Sequence, residues 1–533
     1  MDFKHILGEL VNVSISLSSG KDTTLLLEKI LLVAKHLSNA DGGTIYSVTE
    51  DNQLQFDTLV NDTLQLYMGG SSGKPITFDP IPVKVNGEIN TSALVAYAAG
   101  SDLVINIEDA YNTKEYDLSG PKKMDAQTGY RTQSVLTIPM KNHEGDLNGV
   151  LQLVNARQGN NVIPFNQEIE QAIRALASLA AVALTNRQLI DDMEKLFQSF
   201  TQLIAKAIDE KSPYTGGHCR RVPELTMMIA EAVHRHDQGP LASFTMTDED
   251  KHELSLAGWL HDCGKIATPE HVMDKSTKLE KVFDRIELIT TRFELAMSQL
   301  TLEYTRKIQN SHDTQEQQQL QDRLNEEIST LQSAREFVET ANIGGEFMSE
   351  DKQRYIEDIA NLHQVTIKGE KHPLLTPDEV YNLQVAKGTL TPEEREIINR
   401  HMDITIEMLE SLPFPKHLKR VPEFAGGHHE KMDGTGYPKG LTKEQMSVPA
   451  RMMAIADIFE ALTASDRPYK PGKKISECLR IMGFMCKDKH IDADLFKIFV
   501  DEGVFLEYAQ RYLSQDQIDD VQIEKIPGYL NIH

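Results

Sequence analysis

The chain has 533 residues, and its 55 basic and 80 acidic side chains give a formal net charge of −25 at pH 7. One hydrophobic core cannot serve that length, so at roughly 100–200 residues per domain we expect two to four domains. The negative charge excludes a protein that coats nucleic acid or an anionic membrane by bulk charge. Hydrophobic residues make up 40% of the chain, which excludes wholesale disorder. An anionic substrate would need locally clustered Lys and Arg, or metal ions.

The sequence lacks membrane and export signals. No apolar run reaches the roughly 18 residues that span a bilayer, and the N-terminus lacks the basic-then-apolar order of a secretory signal. The four cysteines form no C-x-x-C pair, which favours a reducing compartment without a disulfide framework. We therefore predict a cytoplasmic protein that is not held in a membrane.

The first 190 residues mix helix and strand patterns. Residues 25–37 have helical spacing, and a second, long helix is predicted from Phe165 to Leu196. The alternation typical of strands occurs in two pairs of segments, each joined by a turn: residues 43–48 with 53–56, and residues 134–140 with 149–154. This order predicts one α+β domain with an antiparallel sheet.

The same region resembles a GAF domain. The resemblance rests on GYRTQSVLTIPMKNHEGDLNGVLQLVNAR (residues 129–157), followed by a turn with Phe165 and the long exit helix. It covers about residues 10–190 and implies a small-molecule sensor that passes a signal along its terminal helices.

The ligand of this sensor stays open at the level of sequence. Residues 105–111 are similar to the ligand-side loop of members that bind cyclic nucleotides. Of the signature of those members, Asn155 and Phe165 are present, but Ala156 replaces a Lys and Glu168 stands without an Asp-Glu pair. The domain has no Cys, which excludes a thioether-linked bilin.

From about residue 195 onward the pattern is mostly helical. Thr376-Pro377-Asp378-Glu379 and Thr391-Pro392-Glu393-Glu394 predict two helix starts with capping boxes. Apolar residues recur in steps of three and four between residues 279 and 300, and again between 320 and 331. We therefore predict two long helices, packed as a hairpin or coiled coil, within a helical insertion at about residues 275–375 that packs or dimerises.

Polar groups interrupt the apolar helical stripes at a few positions. His218 shares helical spacing with Val222, while His261 and Asp262 end another apolar stretch. Asp457 lies inside an apolar helix, and a buried lone carboxylate costs several kcal/mol unless it meets a cation.

His428 and His429 are adjacent in the chain. Neighbouring side chains diverge by about 100° on a helix, so this pair suits two metal ions better than one. Imidazole and carboxylate ligands without thiolate suit Fe, Mn or Zn, and paired ions are typical of hydrolytic sites.

Five motifs in this order resemble the HD-GYP family of cyclic di-GMP phosphodiesterases, over about residues 200–510. They are YTGGH (214–218), HDCGK (261–265), HHEKMDGTGYP (428–438), IADIFEALT (455–463) and DRPYK (466–470). The resemblance implies a multidomain chain with these parts: the α+β GAF domain, a linker helix at 191–212, an all-α HD-type domain at 213–510 and a C-terminal tail at 511–533.

The resemblance also implies roles for single residues. The metal ligands, with Asp262 bridging, would be His218, His261, Asp262, His401, His428, His429 and Asp457. Lys265 would face the substrate phosphate as a charge stabiliser or as the acid for the leaving oxygen. The pocket would be shaped by Asp433 and the loop of Gly436, Tyr437 and Pro438, and the second phosphate or a guanine would be held by Arg467 and Lys470.

Two departures from the family pattern concern the ligands. The family has His-Pro-x-x-Gly around its mid-chain ligand, whereas this chain reads HMDIT from His401 onward. The gap from His261 is 401 − 261 = 140 residues, which the helical insertion explains. Some members hold a third metal through a Glu where Tyr214 stands here, so two metals are expected.

Three further positions bear on the family pattern. Pro223 falls where a helix should be under way, so that helix is expected to start late or to bend. His417 and His490 sit beside Lys in polar stretches and are not expected to be ligands.

The expected activity is hydrolysis of cyclic di-GMP to linear pGpG by two divalent ions, Fe or Mn, with further cleavage to GMP left open. The expected partners are the cyclic dinucleotide, a small-molecule GAF ligand, a second copy of the chain and diguanylate cyclases, but no nucleic acid polymer and no membrane. Two alternatives stay open: an HD-superfamily phosphohydrolase acting on a mononucleotide or an alarmone, and a non-catalytic ligand-gated adaptor. The GYP and DRPYK segments argue against the first, and the full ligand set argues against the second.

Overall fold

A computed structural model describes residues 23–49, 51–142, 144–211, 217–345, 347–465 and 472–529. The chain divides into two compact units, one up to Leu196 and one from Phe197 onward. Across these described stretches, no helix combines the length and the apolar character that crossing a membrane requires.

The N-terminal unit is built on an antiparallel sheet whose main strands run in the order β3-β2-β1-β9-β8-β7. Strand β10 pairs with β9, β4 pairs with β2, and β5 and β6 form a separate hairpin. The strands are β1 Ala40–Val48, β2 Gln53–Asn61, β3 Leu66–Gly69, β4 Ile81–Pro82, β5 Lys84–Val85, β6 Glu88–Ile89, β7 Ile105–Ile107, β8 Val135–Lys141, β9 Leu147–Gln158 and β10 Asn161–Ile163. Both predicted strand pairs, β1 with β2 and β8 with β9, are confirmed.

Helices cover both faces of this sheet. They are α1 Thr23–Ser38, α2 Leu94–Ser101, α3 Ser119–Thr128 and α4 Gln167–Lys211. On one face, Leu31 of α1 and Leu176 of α4 share a buried cluster with Leu153 of β9. On the other face, Val95 of α2 packs with Tyr46 of β1. The unit is therefore an α+β domain with an antiparallel sheet, as predicted.

The second unit is helical apart from one described hairpin, β11 Gln364–Ile367 with β12 Glu370–Pro373. Its helices after α4 are α5 His218–Arg235, α6 Asp248–Leu260, α7 Glu270–Met273, α8 Ile286–Asn310, α9 Thr314–Asn342, α10 Glu350–Leu362, α11 Pro377–Leu383, α12 Pro392–Asn399, α13 His401–Glu410, α14 Val421–Gly426, α15 Val448–Thr463, α16 Ile475–Lys487, α17 Ala493–Asp501 and α18 Val504–Tyr512. Both predicted capping boxes are confirmed, at the starts of α11 and α12. The main core joins α5, α6, α15 and α17, and it buries Val222, Ala257 and Phe459.

The insertion has a core of its own. Helices α8 and α9 pack as the predicted hairpin, with Phe293 of α8 and Leu331 of α9 both buried. The extension of the apolar stripe back to residues 279–282 is wrong, because α8 begins only at Ile286 and Val282 is 94% exposed. The backbone there is held as a turn by Glu280, whose carboxylate accepts from the amide of Ser276 at 2.7 Å.

Candidate metal centre

The HD motif lies at the end of α6, whose first turn is fixed by a capping box at Thr247. The helix buries Leu254 and Leu260 in the core, and the HD motif follows directly after Leu260. His261 and Asp262, which end this apolar stretch, are therefore only 0% and 1% exposed.

A glycine lets the HD motif pack against α13. The amide of Gly264 donates to Thr405 Oγ1 at 2.9 Å. A Cβ at Gly264 would lie only 2.6 Å from the amide nitrogen of Thr405, so any larger residue would push the two segments apart. Because α13 begins at His401, this contact places His401 Nε2 3.3 Å from Asp262 Oδ1.

His218 is the first residue of α5, directly after Gly217 with a left-handed backbone at φ 91°. The helix begins five residues before Pro223, so it does not start late. Pro223 instead packs on Gly258 of α6, where an added Cβ would lie 3.1 Å from the Pro223 Cα. This close approach of α5 and α6 brings His218 Nε2 to 3.2 Å from Asp262 Oδ2.

His428 and His429 lie in the turn that follows α14, and not on a helix. The helix ends at Gly426, before either histidine. The expectation that the two rings diverge by about 100° and bind different ions therefore does not apply. Their ring centroids are 4.3 Å apart. His428 is 3% exposed.

Asp457 of α15 completes the cluster. Its Oδ1 lies 3.4 Å from His218 Nε2 and 3.9 Å from His261 Nε2. The apolar residues before it in α15 are buried in the core, while its own side chain is 14% exposed towards the site.

The structure thus brings all seven predicted ligands together. Possible ligand atoms within 4.8 Å of one another form two groups that share Asp262: His218 with His261 and Asp262, and Asp262 with His401, His428 and His429. The two oxygens of Asp262 divide between the groups, since Oδ2 faces His261 at 3.2 Å and Oδ1 faces His401 at 3.3 Å. Neither group includes His417 or His490.

Backbone carbonyls orient three of the imidazoles. Nδ1 of His261 donates to Gly258 at 2.7 Å, and Nδ1 of His428 donates to Ala425 at 2.7 Å. Nδ1 of His401 donates to the carbonyl of Ile398 at 2.5 Å. Each Nε2 therefore presents its lone pair to the centre of the cluster, as metal-binding histidines do.

Several buried atoms in the cluster lack hydrogen-bond partners among the described residues. They are the Nε2 atoms of three histidines and one carboxylate oxygen: His261, His401, His428 and Asp262 Oδ1. Unsatisfied buried polar atoms are costly and rare in folded proteins. Four of them facing one another, with nitrogen and oxygen donors only, fit a site for divalent metal ions.

The electrostatics keep the carboxylates ionised. Burial opposes ionisation of Asp262, but Lys265 and His261 outweigh it and hold the pKa of the carboxyl well below its usual range. Burial likewise opposes ionisation of Asp457, yet the neighbouring imidazoles lower its pKa to about 2. Burial lowers the pKa of His429 to about 4, so this ring is a neutral donor at pH 7.

Lys265 lies beside the buried carboxylate of Asp262, with Nζ 2.5 Å from Oδ2. Burial opposes its charge, but Asp262 and Asp457 outweigh that effect and raise its pKa. The ammonium therefore stays protonated next to the cluster, which suits a charge stabiliser or a proton donor.

The predicted pocket loop lies against the cluster. The ring of Tyr437 stacks on His429 with centroids 4.9 Å apart. The buried Glu430 holds this loop, because its carboxylate accepts from the amides of Lys439 at 2.7 Å and Leu441 at 2.9 Å. Asp433 is exposed and accepts from the amide of Thr435 at 2.9 Å, within its own turn.

The remaining predicted positions either are not described by the structure or belong to the GAF unit. Arg467, Lys470 and Tyr214 lie outside the described residues. In the GAF unit, the side-chain Nδ2 of Asn155 donates to the carbonyl of Arg131 at 2.8 Å, so this side chain holds a loop. Phe165 is 4% exposed and belongs to the core.

One buried group next to the ligands was not predicted from the sequence. Glu460, 1% exposed, accepts from Nδ1 of His218 at 2.5 Å. It also accepts from Nε of Arg221 at 2.8 Å. Its position one helical turn after Asp457 was the available signal, since residues three apart lie on the same helix face.

Family models match segments of both units. Residues 22–184 match the GAF domain model, and residues 215–332 and 373–495 match two HD domain models. The GAF domain of an Acinetobacter phosphoenolpyruvate-protein phosphotransferase aligns with 36% of this chain and 99% of its own, at 13% identity and a TM-score of 0.27.

Two curated relatives match smaller segments. Over 127 residues the chain is 39% identical to a cyclic di-GMP phosphodiesterase of Pseudomonas aeruginosa, which covers 24% of this chain and 29% of that protein. Over 145 residues it is 33% identical to the 3'3'-cGAMP-specific phosphodiesterase 1 of Vibrio cholerae, covering 27% and 29% respectively. The chain thus spans less than a third of the length of either relative. From the matches to the family models, the chain carries a GAF domain followed by HD domains.

Proposed function

We propose that the second unit is a metal-dependent phosphodiesterase that hydrolyses cyclic di-GMP to linear pGpG, with cleavage on to GMP as a further step. The observation that carries the proposal is the position of Asp262, whose Oδ2 faces His218 and whose Oδ1 faces His401. A carboxylate between two groups of imidazoles suits two divalent ions, and iron or manganese suits donors without thiolate.

The chain's own residues have distinct tasks in this proposal. The ions would be held by His218, His261, Asp262, His401, His428, His429 and Asp457. When bound, such ions activate water and neutralise charge on phosphoryl oxygens. The Lys265 ammonium, beside Asp262, is placed to donate a proton to the leaving 3′ oxygen or to stabilise its charge.

The substrate is inferred from the pocket loop and from the relatives. Tyr437, stacked on His429, offers an aromatic face at the rim of the cluster for a guanine base. Arg467 and Lys470, outside the described residues, would bind the second phosphate or the other guanine. The relatives named above act on cyclic di-GMP or on 3'3'-cGAMP, so both cyclic dinucleotides are candidate substrates.

The GAF domain would bind a small molecule and regulate the phosphodiesterase, in a dimer paired along α4. Large apolar side chains are exposed on α4 in alternating steps of four and three, namely Leu189, Met193, Leu196, Phe200 and Leu203. We call these five residues the α4 stripe. Such spacing is the pattern of a coiled-coil seam, and a second copy of the chain would cover it with the same stripe.

The test is to purify the full chain anaerobically, count its metals and identify the products from cyclic di-GMP and 3'3'-cGAMP. We expect the parent protein to hold two ions per chain and to release linear pGpG from cyclic di-GMP. An Asp262→Ala variant should remain folded but should lose both the two ions and the production of pGpG. Hydrolysis of mononucleotides or alarmones alone would favour the wider HD superfamily activity. Binding of cyclic dinucleotides without hydrolysis in the metal-loaded protein would favour the adaptor.

A further inference from the structure

The last turn of α4 ends against the segment that carries Lys265. The Lys211 ammonium donates to three backbone carbonyls of that segment, those of Lys265 at 3.3 Å, Ile266 at 2.5 Å and Thr268 at 2.6 Å. An ammonium has three donors, so all of them are directed to a single short stretch of backbone. These carbonyls lie at the end of a short 3₁₀ helix, Cys263–Ala267, where intrahelical partners run out. The carbonyl of Lys265 also accepts from the amide of Thr268 at 3.0 Å.

Two residues earlier, Asp209 makes the corresponding contact with the segment that carries His218. Its Oδ2 accepts from the amide of Gly217 at 3.0 Å, and its Oδ1 accepts from the amide of Cys219 at 3.4 Å. These amides belong to the start of α5, where backbone donors lack partners within the helix. A carboxylate there satisfies them and interacts favourably with the helix dipole.

We propose that Asp209 and Lys211 are positioning residues that set the His218 and Lys265 segments against each other. This inference rests on the proposed function, because both segments deliver groups to one atom, Asp262 Oδ2. His218 Nε2 lies 3.2 Å from that oxygen and Lys265 Nζ lies 2.5 Å from it. A displacement of about 1 Å at a reacting centre can lower the rate roughly 100-fold, so holding both segments from one helical turn matters to turnover.

The two contacts act on different parts of the site. Lys211 holds the backbone around Lys265, which binds no metal in the proposed mechanism, so its loss affects proton donation to the leaving oxygen. Asp209 holds the start of α5 and hence His218, a proposed ligand, so its loss affects metal binding. If these contacts served only the stability of the fold, the loss of either one would lower turnover and metal affinity together.

The experiment uses the full chain with Lys211→Met, Lys211→Arg and Asp209→Ala. Lys206→Met and Glu210→Gln, exposed on the same turns of α4, are the matched controls. For each variant we would measure Mn²⁺ affinity by titration, kcat and KM on cyclic di-GMP, and hydrogen exchange of the amides at 217–219 and 265–268.

We expect Lys211→Met to lower kcat about 10- to 100-fold with KM and Mn²⁺ affinity unchanged, as for residues that orient a site from outside it. Exchange at 265–268 should rise in that variant, and Lys211→Arg, which keeps charge and donors, should restore most of the rate. Asp209→Ala should weaken Mn²⁺ binding by about 10-fold and raise exchange at 217–219. The controls should match the parent protein in all three measurements.

The positioning role is overturned if exchange at 265–268 is unchanged in Lys211→Met, or if both variants lose rate, metal and thermal stability together without rescue by Arg. Failure of the proposed function gives a different result. The parent protein would then leave cyclic di-GMP uncleaved, while hydrogen exchange and Mn²⁺ titration would still report whether Asp209 and Lys211 hold their segments.

Discussion

Glu460 on α15 accepts a hydrogen bond from His218 Nδ1 on α5 at 2.5 Å, which leaves the opposite ring nitrogen facing Asp262. Arg221 pairs with the same carboxylate, with its terminal nitrogen 2.7 Å from Oε1. Burial opposes ionisation of Glu460, but His218 and Arg221 outweigh it and lower its pKa. A carboxylate in this position fixes the tautomer of the imidazole and makes it a stronger donor.

We therefore expect Glu460→Gln to weaken metal binding by about 10- to 100-fold, since the neutral amide cannot raise the basicity of His218. The measurement is a titration of the metal-depleted full chain with Mn²⁺. Glu444→Gln, at an exposed position, is the control and should bind Mn²⁺ as the parent protein does. Equal affinity in Glu460→Gln and the control would mean that the pair serves folding and not the site.

The site could be predicted from the sequence wherever a polar residue interrupts an apolar pattern. Asp457 is the clearest case, because it follows five consecutive buried apolar residues on α15, 452–456. His401 has no such context and could be predicted only through family resemblance, yet its Nε2 lies 3.3 Å from Asp262 Oδ1. Glu460 was missed, because a Glu on a helix is usually solvated and only the packing shows that it is 1% exposed.

The fold could be predicted where the apolar pattern was long and regular. The prediction failed where a local turn overrode that pattern. The strand pairs and the helical hairpin followed from periodicity. The start of α8 could not be predicted from periodicity. Arg285 Nε donates to the carbonyl of Leu279 at 2.9 Å and holds residues 279–285 in a turn. The helical argument for His428 and His429 also failed, because α14 ends at Gly426 and both histidines lie in the turn that follows it.

Lys265→Ala should retain its metals and lose turnover by about 10²- to 10⁴-fold, the range for loss of a general acid. The reason is that its ammonium lies beside Asp262 and can act at the leaving oxygen without replacing any ligand. Metal counting and single-turnover kinetics on one preparation would separate binding from chemistry. Lys419→Ala, exposed in the same unit, should leave both unchanged. A rate within threefold of the parent would remove Lys265 from the mechanism.

Gly264→Ala should disrupt the centre even though it changes no ligand. The new Cβ would meet the carbonyl oxygen of His401 and lie 2.7 Å from Thr405 Oγ1, and backbone atoms cannot yield cheaply. The HD turn would move away from α13, which separates Asp262 from His401. We expect a loss of about 1–3 kcal/mol in stability together with weaker Mn²⁺ binding. Gly345→Ala, where nothing lies within 4 Å of the added atom, is the matched control.

We expect Asp57 on β2 to make the stability of the N-terminal unit depend on pH. Burial raises the pKa of this carboxyl to about 6 from an ordinary value of 3.8, and its Oδ2 has no hydrogen-bond partner among the described residues. The folded state holds the proton more tightly than the unfolded chain does. Stability should therefore fall as the pH rises from about 4 to about 6, and stay low above that range.

Asp57→Asn should remove this dependence and make the unit more stable at pH 7.5, by up to about 3 kcal/mol since each pKa unit is worth about 1.4 kcal/mol. At pH 4 the variant and the parent should unfold alike. Denaturant unfolding of the full chain at several pH values measures the difference. Asp51→Asn, exposed in the neighbouring turn, is the control, and parallel pH profiles for Asp57→Asn and the parent would contradict the assignment.

The α4 stripe makes the proposed dimer testable. Met193 and Leu196 are 70% and 58% exposed at adjacent seam positions, so a parallel partner would bring each against its own copy. Met193→Glu/Leu196→Glu places four like charges in that seam, and we expect the mass in solution to fall from twice 60.0 kDa to that of one chain. Gln188→Glu/Gln198→Glu adds the same charge at exposed positions off the stripe and should remain dimeric. Light scattering after size exclusion distinguishes them. Because coupling along paired helices requires the dimer, the stripe variant should also lose any response of phosphodiesterase activity to GAF ligands. An unchanged mass in the stripe variant would show that α4 is not the interface.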